Sequence, residues 1–246
     1  FKTLVEGVSI SYQSSNTDVI TNNGIITRGT KDELVQLTLT LEYEDLTEIR
    51  TISLIIKKDP ILFINDVFKN LFLNIDLDNV VTDLDFVTLV NGVEISYQST
   101  NTDVIKDDGK VIRSVDDEVV GVNIVLQYLN ETVNKHLYFT VTKDLTIVLN
   151  NVYTDLFVDI DLNNVVNNIE FPSLVDGVEI TYQSANPNVI SNNGVVTRGI
   201  DDETVRLIIT LEYEGIIITK NEDIIVRKDP TLFINQVFDN LFIDID

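Results

Sequence analysis

The chain has 246 residues and a formal net charge of −23, from 40 acidic and 17 basic side chains. That balance repels nucleic acid, which is bound through clustered Lys and Arg, and it disfavours anionic membrane surfaces. Cysteine is absent, which excludes disulfides, thiolate metal sites and cysteine nucleophiles, while a 44% hydrophobic content in alternating order excludes disorder.

A period organises everything else. Lys58, Lys143 and Lys228 stand 85 residues apart, as do Tyr12, Tyr97 and Tyr182, with no insertion between copies. A fixed spacing of this length marks a tandem array. It divides the chain into a first repeat at 1–58 that lacks its N-terminal part, a second at 59–143, a third at 144–228, and the start of a fourth at 229–246. Phe1 aligns with Phe86 and Phe171, so the sequence reads as a window cut from a longer array.

Within a repeat the elements are predicted in order. VEISYQS (93–99) alternates Val93, Ile95 and Tyr97 toward one face, a strand pattern. DVITNNGIITRG (18–29) and its counterparts place Asn23-Gly24, Asp108-Gly109 and Asn193-Gly194 at a tight hairpin turn joining two short strands. VQLTLTLEY (35–43) is the clearest strand, with Val35, Leu37, Leu39, Leu41 and Tyr43 on one face. A return strand follows, carrying Leu54 and Ile56, Phe139 and Val141, or Ile224 and Val226. Asp59-Pro60 and Asp229-Pro230 then signal a helix start, and Ile64, Val67, Phe68 and Leu71 recur at helical spacing over two to three turns. Leu145 replaces the proline in the second copy. After Leu71 the order Leu73, Ile75, Leu77 is strand-like, and NVVTDLDF (79–86) is a further strand candidate. Six or seven short antiparallel strands per repeat predict a mostly β protein of tandem β-sandwiches, with a short helix at each inter-unit connection. Apolar runs are as short as ILFI (61–64), so no membrane insertion is expected within this segment.

Catalytic chemistry finds little material. His136 is the only histidine, and its counterparts are Thr51 and Asn221, so it is read as a solvent-facing strand residue. No serine or cysteine triad can be assembled and no glycine-rich phosphate loop is present, so an enzyme is not expected. No catalytic, cofactor-binding or metal-binding residue is assigned. Calcium is the one cofactor considered, through the D-x-D pairs Asp76/Asp78, Asp159/Asp161 and Asp244/Asp246, whose side chains would share a strand face. A Lys–Asn isopeptide crosslink between Lys58, Lys143 or Lys228 and Asn65, Asn150 or Asn235 is the second chemical candidate.

The runs ISYQSSNTDVITNNGIITRG (10–29), ISYQSTNTDVIKDDGKVIRS (95–114) and ITYQSANPNVISNNGVVTRG (180–199) resemble the atrophied bacterial immunoglobulin-like domain, whose pattern is close to I-T-W-x-S-x-N-P-x-V-I-x-x-x-G-x-V-T-R-P. Tyr12, Tyr97 and Tyr182 stand where that family has Trp, and Gly29, Ser114 and Gly199 where it has Pro. The resemblance implies immunoglobulin-like sandwiches arrayed within a long extracellular or cell-surface bacterial protein, as stalk, filament or matrix component. The alternative it leaves is an adhesin or carbohydrate-binding module with a host or surface glycan as ligand. Expected partners are neighbouring repeats of the same chain or identical chains, including an end-on polymer in which the tail 229–246 completes the head of the next chain by strand addition.

Overall fold

The computed structural model describes residues 1–241. The chain separates into two compact units, residues 1–112 with 117–142, and residues 113–116 with 143 onward. The first unit contains β1 (Leu4–Val5), β2 (Val8–Ser14), β3 (Glu33–Tyr43) and β4 (Leu46–Ile56), then helix α1 (Pro60–Leu71), then β5 (Leu89–Val90), β6 (Val93–Ser99), β7 (Glu118–Tyr128) and β8 (Glu131–Val141). The second unit contains helix α2 (Leu145–Asp155), β9 (Leu174–Val175), β10 (Val178–Ser184), β11 (Glu203–Tyr213), β12 (Ile216–Val226) and helix α3 (Pro230–Asn240). Each run of four strands forms one antiparallel sheet in sequence order. The chain is therefore mostly β, in tandem units with short helices, as the alternation predicts.

Two-residue turns set the register. The loops Asn91-Gly92 and Asp176-Gly177 hold positive φ at both positions, at 52° and 84° and at 48° and 83°. That is the geometry a tight hairpin with right-handed strand twist demands. β2 pairs with β3, β6 with β7 and β10 with β11, so that Tyr12 faces Leu39, Tyr97 faces Ile124 and Tyr182 faces Ile209, with no slip between repeats. Because side chains alternate, this register sends Val120, Val122, Ile124 and Leu126 to one fully buried face. The half-buried Tyr97 donates its hydroxyl to the Val87 carbonyl at 2.9 Å, and desolvation pushes its pKa up to about 12. Tyr182 repeats the arrangement, donating to the Pro172 carbonyl, with its pKa also raised to about 12 by burial.

The sheet's apolar face is covered by the helix and the chain after it. Asp59 accepts the Leu62 amide at 2.9 Å ahead of Pro60, so α1 starts where the cap and the proline place it. α2 begins at the equivalent residue without proline, because Asp144 accepts the amide and hydroxyl of Thr146. Ile64 and Val67 of α1 are buried against β7 and β8, and Leu149 and Val152 of α2 against β11 and β12. Phe139 and Val141, or Ile224 and Val226, form the floor of each core.

Two local expectations are corrected. Residues 72–79 form turns, with Leu73 exposed and Ile75 and Leu77 packed against the core, so the run after the helix is not a strand. The segment 79–86 pairs with the sheet through a single parallel bridge, Val80 to Val141, and otherwise lies extended over the core with Leu84 and Phe86 inward. The Asn-Gly turns likewise close single bridges, Ile20 to Ile26 and its equivalents, and only their glycines carry positive φ.

Two of these glycines, Gly109 and Gly194, have no substitute. Gly109 sits at φ +88° and accepts the Leu84 amide through its carbonyl at 2.8 Å. A Cβ there would lie 2.1 Å from the Leu84 carbonyl oxygen, a backbone atom that cannot rotate away. Gly109→Ala should lower unfolding free energy by about 2–4 kcal/mol in denaturant titration, through strain and clash together. Gly29→Ala, where nothing lies within 4 Å of the added carbon, should change it by no more than about 0.5 kcal/mol. Equal effects would contradict this packing.

Candidate functional site

The polar side chains most elaborately engaged gather where each sheet passes into the following helix. In the first unit the Asp59 amide donates to the Gly29 carbonyl at 2.8 Å. Asp32 accepts the Lys58 amide at 2.9 Å and the Lys57 ammonium at 2.8 Å. The second unit repeats this at its far end: Asp202 accepts the Lys228 amide and the Arg227 guanidinium, both at 2.8 Å, and the Asp229 amide donates to Gly199 at 2.7 Å. Arg198 adds a clamp, its Nε donating to the Arg227 carbonyl at 2.8 Å and its terminal nitrogen to Lys228. Arg113 makes the same terminal contact to the Lys143 carbonyl. Arg113 and Arg198 are therefore fasteners for the entrances of α2 and α3.

The lysines that recur at 85-residue spacing all point into this region, but with different partners. Lys58 Nζ lies 3.1 Å from the ring centroid of Phe63 and 4.6 Å from that of Tyr128, an arrangement in which the ring quadrupole attracts the cation. Lys143 instead donates to Glu214 at 2.7 Å and to the Tyr213 hydroxyl at 3.0 Å. The Glu214 carboxylate, and then that hydroxyl, raise the Lys143 pKa well above its ordinary value. Lys228 lies over Phe233 at 3.6 Å.

These contacts bear on the isopeptide candidate. Asn65 donates its side-chain amide to the Ile61 carbonyl at 2.9 Å, and Asn150 to Thr146 at 2.7 Å, both back along their own helices. The Lys58 and Lys228 ammonium groups lie over aromatic rings and that of Lys143 pairs with Glu214.

The acidic pairs sit on turns, where the strand-face argument does not apply. Asp76 accepts the backbone amide of Asp78 at 3.1 Å, and Asp161 that of Asn163 at 3.0 Å, each closing a local turn. By the 85-residue offset Asp76 corresponds to Asp161 and Asp78 to Asn163, so the pairs 76/78 and 159/161 occupy different positions of the repeat. Asp244 and Asp246 lie outside the described residues. Among the described residues no group of three or more His, Asp or Glu side chains converges as a metal site. His136 is exposed on the outer face of β8, with Nδ1 2.7 Å from Asn123 Oδ1 and its ring over Gly121.

The entrance carboxyls have a titration signature. Asp32 is held below the ordinary carboxylate range first by the Lys57 ammonium and then by the Lys58 amide, and Asp202 first by the Lys228 amide and then by Arg227. A folded pKa below the unfolded value means the contribution is complete above about pH 4 and is lost as pH falls through the depressed value. In NMR titrations the Lys58 and Lys228 amide resonances should therefore shift with midpoints below about 3.9, the ordinary Asp value. Midpoints at or above that value would show the carboxyls are not bonded there.

The family model for the atrophied bacterial Ig domain matches residues 2–59 and 152–229, more than half of the chain. No curated protein sequence matches. Among solved structures, the chain is similar to Drosophila N-cadherin EC1-4 at 11% identity and TM-score 0.35, covering 90% of this chain and 66% of that one. It is similar to zebrafish RET cadherin-like domains 1 to 4 at 10% identity and TM-score 0.21, covering 91% of this chain and 66% of that one. An endo-fucoidan hydrolase of glycoside hydrolase family 107 appears at 10% identity and TM-score 0.20, covering 93% of this chain and 38% of that one. The chain thus spans less than two thirds of each, and likenesses this weak carry no functional inference.

Proposed function

This chain belongs to the atrophied bacterial Ig domain family, and from that premise we propose that it is a structural repeat segment of a long bacterial extracellular or cell-surface protein, in a stalk, filament or matrix. Its working units are the repeats 59–143 and 144–228, flanked by 1–58 and by 229–246 as parts of further repeats. The observation that carries this reading is the conserved register: strand pairing and helix-on-sheet packing recur at the same offsets, so each repeat offers its neighbours the same geometry. Nearest-neighbour arrays of this kind sum modest repeat stabilities into a long load-bearing or spacing element. Among the described residues no group of three or more His, Asp or Glu side chains is placed to hold a metal ion. No described helix is long and apolar enough to cross a membrane.

Single-molecule stretching tests it. The repeats 59–143 and 144–228 should unfold in separate, near-equal steps, each releasing about 25–30 nm of contour at roughly 3.6 Å per residue. Antibody labelling of intact cells of the source bacterium should reach the protein from outside. One rupture that releases the whole chain, or labelling only after lysis, would contradict the reading.

A further inference from the structure

At the junction of the first two repeats a cleft of about 600 Å³ lies beside the entrance of α1. That is within the size range of small-ligand pockets. Lys31 and Lys58 supply its charge, and Phe63, Tyr128 and Leu129 its apolar wall. Among the described residues neither lysine has an ion-pair partner within 4.0 Å. The carboxylate of the lining, Asp32, is committed to the Lys57 ammonium and the Lys58 amide. Such surroundings stand out in a chain with 40 acidic and 17 basic side chains.

The next junction shows what a site of this kind holds. By the 85-residue offset Lys58, Tyr128 and Leu129 correspond to Lys143, Tyr213 and Glu214. There Lys143 donates to the Glu214 carboxylate at 2.7 Å and to the Tyr213 hydroxyl at 3.0 Å, so the chain fills the place with a glutamate of its own. Lys31 corresponds to Asp116, and Phe63 to Val148. Compared with the second junction, the first has lost two carboxylates and gained an ammonium and an aromatic ring. Lys58 rests on the Phe63 ring at 3.1 Å. A ring face covers one side of an ammonium, which keeps N–H donors for a further partner.

We propose that this cleft binds an acidic peptide segment, one glutamate of which sets its carboxylate on Lys58 and Lys31 as Glu214 does on Lys143. An apolar side chain next to that glutamate packs on Phe63 and Leu129. The proposal goes beyond the structural-repeat reading, which needs no ligand, and its test does not depend on that reading. Lys57 is left out of the site. Its equivalents Thr142 and Arg227 are bonded by Asn79 and Val80, and by Asn164 and Val165, from the segment ahead of their own sheet. Asp116 and Lys143, the equivalents of Lys31 and Lys58, fall instead in the compact unit of the repeat that follows them. The cleft is thus a feature of a junction and not of either end of the sequence.

The test is an NMR titration of the 246-residue chain at constant ionic strength, with a blocked Glu-Leu dipeptide as the probe. The amides of Lys31, Lys58 and Tyr128 should shift together and saturate with a Kd of about 1–10 mM, as one charge-assisted contact and a small apolar body allow. Those of Lys143 and Tyr213 should stay in place, since Glu214 already holds that lysine. The uncharged Gln-Leu dipeptide should bind about 10-fold more weakly or less. Leu129→Glu should weaken Glu-Leu binding by about the same factor, by filling the cleft from within. The backbone there accepts the change, because Glu44 and Glu214 hold the equivalent positions at φ 52° and 49°, against 55° for Leu129. Lys31→Asp, which installs the residue of the next repeat at an exposed position, should weaken it too. Glucuronate, an acidic sugar, should bind less tightly than the dipeptide. No saturable shift up to about 50 mM probe would overturn the proposal. So would equal binding of the Glu and Gln probes, undiminished binding by Leu129→Glu, or a preference for glucuronate.

Discussion

An antiparallel sheet with one apolar face must bury that face, and in this chain the burial is done by a three-turn helix. Each repeat pairs its strands into one four-stranded sheet, so closing the open face is the step on which the remaining structure depends. Ile64 and Val67, or Leu149 and Val152, descend onto Phe139 and Val141, or Ile224 and Val226, and the chain leaving the helix drapes Val80, Leu84 and Phe86 or their equivalents over the rest. Where the helix is present the floor residues are almost inaccessible. On the first sheet, where no described helix lies, the fully buried apolar cluster shrinks to Ile20, Val35 and Leu37.

Because the helix must arrive at a fixed place, its entrance is held by several polar contacts of individually small value. An exposed ion pair such as Asp32–Lys57 contributes little alone. Its use here is geometric: the same carboxylate also fixes the Lys58 amide one residue before the helix cap. The repeats vary the details while keeping the positions. Leu129 at the hairpin tip becomes Glu214 in the next repeat, and the neighbouring lysine changes from resting on aromatic rings to pairing with a carboxylate.

Much of this was legible before any coordinates. The alternation from Val35 to Tyr43 located the central hairpin and its inward face, because a period of two has one interpretation when the strand is eleven residues long. Asp-Pro marked the helix start, and α2 shows that the aspartate alone suffices. The segment Leu73–Leu77 misled because a short alternating run is also what a turn-rich stretch looks like when every second or third side chain packs inward. Hydrogen bonding to a partner strand is what distinguishes the two, and it leaves no mark in so short a sequence. The hairpins at Asn91-Gly92 and Asp176-Gly177 carried a readable turn signal that the stronger Asn23-Gly24 pattern overshadowed. The clamps of Arg113 and Arg198 could not be found by pattern, since their partners are backbone carbonyls about 30 positions away and carry no residue preference. The D-x-D pair 76/78 stands two positions out of step with 159/161 and 244/246, so the spacing does not mark one position of the repeat.

Amide hydrogen exchange in dilute solution tests most directly whether helix cover closes each β unit. The account predicts that amides of β7 and β8, and of β11 and β12, exchange only on cooperative unfolding, while those of β3 and β4 at matching positions exchange much faster. Equal protection of all three sheets, with the first bare of any helix, would contradict it.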